Sequence, residues 1–369
     1  MNIGILTPGF SANSDDWALP FLQNLVDELS TEEDVRVIAL RYPHQTQPYA
    51  INQVRVYPLG YGSDTRGLRR LQLWTATLRK IIGLHREKPF HVLHAIWADE
   101  TGLLATWAGR LLNIPTVTSI AGGELVCFPE IGYGSQCSCF GRWIVGQALK
   151  AKVVTVSGSH SRGLIQKAGY DLANDTIHTV IWGVDTEKFT PEPSQKQEIR
   201  LLHVGSLVGI KNQAMLLRAV ARLENVELDI VGDGVLRPKL EKLARELDIA
   251  QRVHFHGSIP YPDMPQYYQR ATLHIITSHN EFVPMATLEA AACAVPTIST
   301  KVGIVVDYPE MGLTVDNDEV ALAEAINDLL RDNERRVALS QSAYETVQEL
   351  FTLADTTENL LTTYLHLYS

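Results

Sequence analysis

TLHIITSHNEFVPMATLEAAACAVPTIST, residues 272–300, reads as strand, loop, helix and strand. The apolar run Leu273 to Thr277 has strand length and ends at the polar corner Ser278, His279 and Asn280. Ala286, Leu288, Ala290, Ala291 and Ala292 favour a helix, predicted over 285–293. PTIST then restores β-branched residues before a glycine. Such a unit belongs to a parallel sheet covered by helices. In a doubly wound sheet, ligands bind at the carboxyl ends of the strands. Glu281 is therefore expected in the loop and Glu289 about one turn into the helix, both on the ligand side. Carboxylates accept hydrogen bonds from vicinal hydroxyls, so two acids there suit a sugar and a ribose. The eight-residue spacing alone equally fits a solvated loop acid and a helix acid with no shared task.

The same alternation surrounds this stretch. RLLHVGSL precedes a helix over 211–223, VELDIVGDG one over 236–247, VHFHGSI a short one near 263–270, and a further helix is predicted over 319–331. The first half runs MNIGILT, a helix over 17–29, VRVIAL, a helix over 66–86, HVLHAI, a helix over 101–112, TVTSI and VVTVS. TVIWGVDTEKFTPEPSQKQ reads as a linker, because Pro191 and Pro193 interrupt regular structure among polar residues. Residues 335–369 read as an amphipathic helical tail. The chain thus reads as two doubly wound α/β domains in tandem with a cleft between them.

At 369 residues the chain is longer than one core usually serves, which agrees with two domains. Its net charge of −10 lies almost wholly in the second half: residues 1–193 carry 17 basic and 18 acidic side chains. No nucleic-acid partner is expected, since neutralising many phosphates requires a basic surface. The start, MNIGILTPGF, lacks a basic region before an apolar segment, and no run is long enough to span a bilayer. Cys127, Cys137, Cys139 and Cys293 are too few and too irregular for a disulfide framework or paired CxxC metal site. Cys137-x-Cys139, in a Gly/Ser-rich loop, could bind metal or sense oxidation; free structural thiols in a reduced, cytoplasmic protein are the simpler reading.

HVGSLVGIKNQAMLLRAV sets Gly205, Ser206, Gly209 and Lys211 between a strand and a helix start. Small residues let backbone N–H groups approach a phosphate, and Lys211 adds a full charge. The stretch reads as a diphosphate clamp or as a glycine turn with a solvent-facing lysine. It is not a Walker loop, and VGDG at Val231 to Gly234 fails the dinucleotide pattern at Arg237, so a tight turn is expected. Asp316-Asn317-Asp318 resembles a metal-holding D-x-D but precedes a predicted helix start, where aspartate commonly caps. TPGFSANSDDW offers Gly9, Ser11, Asn13, Ser14, Asp15, Asp16 and Trp17 for phosphate and hydroxyl contact or for helix capping. SIAGGELV places Gly122, Gly123 and Glu124 at another strand end. Arg66, Arg69, Arg70, Arg79 and Lys80 alternate with leucines on one helix, which suits a solvated face or peripheral contact with an anionic membrane.

Taken in order, VGSLVGIK, LDIVGDG, VHFHGSIP, SHNEFVPMATLEAAACAVPTISTKVG and GLTVDNDEVALAEAI resemble the retaining GT-B glycosyltransferases of family 4, also called glycosyltransferase group 1. The likeness covers nearly the whole chain and implies two Rossmann-like domains facing a central cleft. By it, 1–193 would be the acceptor-side domain, 194–345 the nucleotide-sugar domain, and 346–369 a helix crossing back to the first. Glu289 would bind the ribose, Glu281 the transferred sugar, and Lys211 the diphosphate. Ser206 and the N–H groups of Val283, Met285 and Ala286 would assist, with Phe282 in the same turn. His256, Gly257 and Ile259 would hold the base edge, and Gly9 would approach the phosphate from the other domain. Asp15, Asp16, Trp17, Gly122, Gly123 and Glu124 would lie on the acceptor side.

The resemblance implies hexose transfer, with UDP-glucose as donor by family frequency, anomeric retention and no required metal or cofactor. The expected acceptor is an oligosaccharide or lipid-linked sugar hydroxyl in polysaccharide or glycolipid synthesis, at a cytoplasmic location or the inner membrane surface. Ser206 stands where many members have arginine, and Ala121 where many have a histidine near the donor sugar. These departures leave two rivals: a non-hydrolysing UDP-sugar epimerase, and a nucleotide-sugar binder without transfer.

Overall fold

The computed structural model describes residues 1–63, 65–192 and 198–368. These form two compact units, Met1–Ile181 with Leu353–Ser369, and Trp182–Thr352. Pro193 and the boundary expected at 193/194 lie outside the described residues.

The first unit contains β1 (Asn2–Gly9), α1 (Pro20–Leu29), β2 (Asp34–Tyr42), β3 (Tyr49–Ile51), β4 (Val54–Pro58), α2 (Gly67–Glu87), β5 (Val92–Ile96), α3 (Glu100–Leu112), β6 (Thr116–Ser119), α4 (Cys139–Ala148), β7 (Val153–Val156), α5 (Ser159–Lys167) and β8 (Ile177–Thr179). Its sheet runs β3-β4-β2-β1-β5-β6-β7-β8. Pairing is parallel except at β3 and β4, where Tyr49 faces Val56 in an antiparallel edge hairpin. The central strands β1, β2, β5, β6 and β7 are buried on both faces, as sheets covered by helices require. Leu6, Ile38, Leu93 and Leu104 share one core cluster on a single face.

The second unit contains β9 (Arg200–Val204), α6 (Gln213–Val220), β10 (Glu227–Val231), α7 (Arg237–Glu246), β11 (Val253–Gly257), α8 (Pro265–Arg270), β12 (Leu273–Ile276), α9 (Met285–Ala292), β13 (Thr297–Thr300), α10 (Ile304–Asp307), β14 (Gly312–Val315), α11 (Glu319–Arg331) and α12 (Asn333–Leu350). Its sheet is parallel in the order β11-β10-β9-β12-β13-β14. The order reverses between β9 and β12, where neighbouring crossovers leave in opposite directions and a crevice opens.

The chain's last helix, α13 (Leu353–Tyr368), packs within the first unit against α1. Its buried Tyr364 hydroxyl lies 2.6 Å from His94 Nδ1, while Ser119 Oγ stands 2.7 Å from the other ring nitrogen. Burial lowers the His94 pKa to about 3, so the ring serves as a neutral hydrogen-bonding node.

Three expectations are corrected. Cys127 and Cys137 form a disulfide, leaving Cys139 exposed and Cys293 buried as thiols; the four cysteines are not all free. The Cys137 region, read as a loop, leads directly into α4, which Ser138 caps through Gly141 N. The polar run Ser11 to Asp16 does not cap α1, which starts at Pro20 without a side-chain cap. Instead Asp16 Oδ2 accepts from Ala12 N and the Tyr42 hydroxyl, each at 2.7 Å, closing its own loop.

Candidate active site

In the second unit, two turns meet at the reversal of strand order. After β9 the chain passes Gly205 and Ser206 into a short turn, Gly209–Lys211, ahead of α6. After β12 it passes Ser278 and Glu281 into α9. Thr277 Oγ1 donates to the Lys211 carbonyl and His279 N to the Ile210 carbonyl, both at 2.8 Å. Gln213 Nε2 donates to the Ser206 carbonyl at 2.9 Å and so fixes the first turn. These bonds bring the side chains together: Lys211 Nζ donates to Glu281 Oε1 at 2.5 Å, and Ser278 Oγ donates to the same oxygen at 2.6 Å. The lysine and glutamate side chains keep 25% and 12% exposure, enough for a ligand to reach them.

Glu289 lies on α9, as expected, but is only 7% exposed. The buried Tyr268 hydroxyl donates to its Oε2 at 2.5 Å, and Tyr261 supplies a second hydrogen bond. Burial nevertheless raises its pKa to about 7; the two phenols and the Lys188 charge oppose that shift without cancelling it. Sequence reading missed this cage. Tyr261 and Tyr268 come from the stretch before β12, and Lys188 from the segment read as a linker, so spacing carried no signal.

The turn after β11 is shaped by its neighbours. His256 Nε2 lies 2.6 Å from Asp229 Oδ1, and Arg200 and Arg270 each place a guanidinium nitrogen 3.3 Å from Oδ2. Gly232 N donates to the Gly257 carbonyl at 2.8 Å, and Gly232 has φ +128°. A Cβ there would stand 2.1 Å from the Gly205 carbonyl oxygen. VGDG therefore lets three strand-end turns approach one another. Ile259 is half-buried, Ser206 exposed, and Phe282 only 3% exposed, so its ring is a packing group. Val283, Met285 and Ala286 are half-buried around the start of α9, where Pro284 is the N-cap.

Asp318 accepts from Val320 N and Ala321 N as the cap of α11. Asp316 pairs with Lys301 at 2.6 Å, and Asn317 accepts from Asn212 Nδ2 at 3.0 Å. All three residues of D-N-D are thereby engaged.

In the first unit, Gly9 ends β1 at a register shift opposite Tyr42. Asp15 is exposed and Trp17 half-buried. Glu124, 3% exposed, accepts from the N–H groups of Ala98, Ala121 and Gly122 at 2.6–3.1 Å. Burial raises its pKa to about 7 despite these donors. Gly122 and Gly123 leave room for rings: a Cβ at Gly122 would lie 3.3 Å from Trp97 Nε1, and at Gly123 2.8 Å from Tyr133. On α2, Arg70 Nε lies 2.8 Å from Glu100 Oε1, to which Trp74 Nε1 donates at 2.9 Å, and Arg41 pairs with the other oxygen. Arg70 is therefore spent within the unit.

The family model for glycosyl transferases group 1 matches residues 184–346, and that for a glycosyl transferase 4-like domain matches residues 20–180. A D-inositol 3-phosphate glycosyltransferase of Corynebacterium urealyticum is 33% identical over 47% of this chain and 48% of its own. The chain thus spans about half the length of that relative. Sucrose-phosphate synthase from Thermosynechococcus elongatus superposes with a TM-score of 0.85 over 100% of this chain and 99% of its own, at 19% identity. The Anabaena protein HepE, solved with UDP and glucose, superposes with a TM-score of 0.77 over 98% and 99%, at 18% identity. Adjacent family matches over both halves, with the parallel sheets and crossovers described above, establish that the chain belongs to the group 1 glycosyltransferases and has the GT-B fold.

Proposed function

We propose that the protein transfers a hexose from a nucleoside diphosphate sugar, UDP-glucose first, to a sugar hydroxyl with retention at the anomeric carbon. The observation that carries this reading is the Lys211–Glu281 pair beside the start of α9. A diphosphate arriving there would take over Lys211 and the first N–H groups of α9, which favour an anion. Glu281, released from its counter-ion, would accept hydroxyls of the transferred sugar. Glu289 would hold the ribose, and the turn of His256, Gly257 and Ile259 the base. Ser206 would contribute through its exposed backbone turn. No resident metal or cofactor is part of this reading. HepE, solved with UDP and glucose, supports the donor choice by analogy.

Turnover of UDP-glucose and GDP-mannose, with and without sugar acceptors, tests the reading, together with the anomeric configuration of the product by NMR. Acceptor-dependent release of UDP and an α-linked product are expected. Epimer formation from UDP-sugar alone would indicate the epimerase instead, and binding without turnover the binder. Loss of activity in EDTA would refute metal independence, and unchanged turnover in Lys211→Ala and Glu281→Ala would refute the site.

A lipid-linked acceptor would bring the protein to a membrane surface, and α2 suits that contact. Leu68 is 79% and Leu71 54% exposed beside exposed Arg66, Arg69 and Arg79, with partly buried Lys80 on the same helix. Among the described residues no helix is long and apolar enough to cross a membrane. Sedimentation with phosphatidylglycerol vesicles tests the contact, and Leu68→Ser with Leu71→Ser should abolish it.

A further inference from the structure

The first unit holds a cavity of about 260 Å³ walled by Trp97, Asp99, Gly123, Glu124, Tyr133 and Ser135. Trp97 follows β5 with φ +80°, a conformation a bulky side chain rarely adopts unless its surroundings impose it. Gly122 makes room for its indole, and the loop carrying Tyr133 and Ser135 is fastened by the Cys127–Cys137 disulfide. Asp99 is held by its own cap: Oδ1 accepts from Thr101 N and Thr101 Oγ1, both at 2.8 Å. Its Oδ2 accepts no hydrogen bond from the described residues. No lysine or arginine stands among the cavity's walls. Arg41, whose charge reaches Asp99, is paired with Glu100, whose charge opposes it there.

The volume suits one ring rather than a larger ligand. An aromatic face packs against the C–H face of a sugar or cyclitol, and a carboxylate oxygen accepts its hydroxyls. A phosphate on that ring would meet two carboxyl groups and find no lysine or arginine among the cavity's walls to offset its charge, so a charged ring is disfavoured there. We propose that this cavity binds one uncharged polyol ring, a hexopyranoside or cyclitol, with Trp97 as packing platform and Asp99 Oδ2 as hydroxyl acceptor, and that it excludes phosphorylated rings. The C. urealyticum relative is named for a phosphorylated acceptor, so the proposal separates this chain from it. The cavity's role as the acceptor subsite rests on the glycosyl-transfer reading, whereas its binding of a ring does not.

Saturation-transfer NMR on the full chain tests it, with methyl α-D-glucopyranoside, myo-inositol and D-inositol 3-phosphate as probes. Transfer to a neutral probe is expected, lost in Trp97→Ala and weakened about 10-fold in affinity by Asp99→Asn. No transfer to the phosphorylated probe is expected. Asparagine caps helices as well as aspartate, so Asp99→Asn should fold and can carry the test alone. A UDP-induced thermal shift, measured alongside, reads the second unit and so tests the donor reading separately. The proposal is overturned by silence from both neutral probes, by neutral-probe binding that Asp99→Asn leaves unchanged, or by tighter binding of the phosphorylated probe.

Discussion

Lys211 Nζ and Glu281 Oε1, 70 residues apart in sequence, lie 2.5 Å from each other at the carboxyl ends of adjacent strands. The pair is self-neutralising, so an anionic donor must exchange one partner of Lys211 for another. A charge-assisted hydrogen bond contributes about 1.5–3 kcal/mol. Lys211→Ala should therefore weaken UDP binding about 10- to 100-fold by calorimetry. Glu281→Gln should bind UDP at least as tightly, because it frees the lysine, yet lose turnover. Weakened UDP binding in Glu281→Gln would contradict this exchange.

Glu289 gives a pH signature. Its folded pKa, about 7, lies above the ordinary carboxylate value, so the folded protein holds a proton that the unfolded chain has lost between those values. The resulting stability is present in full below the ordinary value, falls as pH rises to about 7, and then levels off. Glu289→Gln should remove that slope. Buried His94, His203 and His274, whose pKa values are lowered, act in the opposite direction in both proteins, so they cancel in the difference. Urea unfolding of wild type and variant at pH 5 to 8 measures it; parallel curves would show that Glu289 is not the source.

Gly232→Ala should cost more than about 1 kcal/mol of stability in the second unit. It combines φ +128° with a Cβ 2.1 Å from the Gly205 carbonyl oxygen. UDP affinity should fall with it, because the Gly205 turn positions Lys211. Full affinity with normal stability would exclude this packing role for VGDG.

The Cys127–Cys137 bond closes a short loop, for which chain entropy gives about 2–3 kcal/mol. Cys127→Ser, or dithiothreitol with wild type, should lower the unfolding temperature, and dithiothreitol should leave Cys127→Ser unchanged. Equal melting with and without reductant would show that the bond contributes nothing.

Much of the fold was legible because most strands and most helices carry their own periodicity. β9 through β12 and α11 fall where apolar runs and an aspartate cap placed them. The β3–β4 hairpin was missed because its residues 49–58 are short and mixed in polarity, and α4 because glycines, serines and cysteines precede it. The disulfide was misread because spacing does not fix which cysteines meet. At the candidate site, Glu281, Glu289 and Lys211 were found as strand-end residues. Trp97 and Asp99 follow β5 in the same way and could have been found by that rule. Tyr261, Tyr268 and Lys188 around Glu289 had no such signal.

The sequence by itself determined the alternation of strands and helices, because hydrophobic period and capping act over a few residues. It also determined which side chains lie at strand ends, and hence the family. Only the tertiary structure decided what those side chains touch. Lys211 became the counter-ion of Glu281, Glu289 a buried acid among phenols, Arg70 a partner of Glu100, and Asp99 a carboxylate with one oxygen that no described residue bonds. Burial and pairing depend on residues far apart in the chain, and they set both charge and availability at each position.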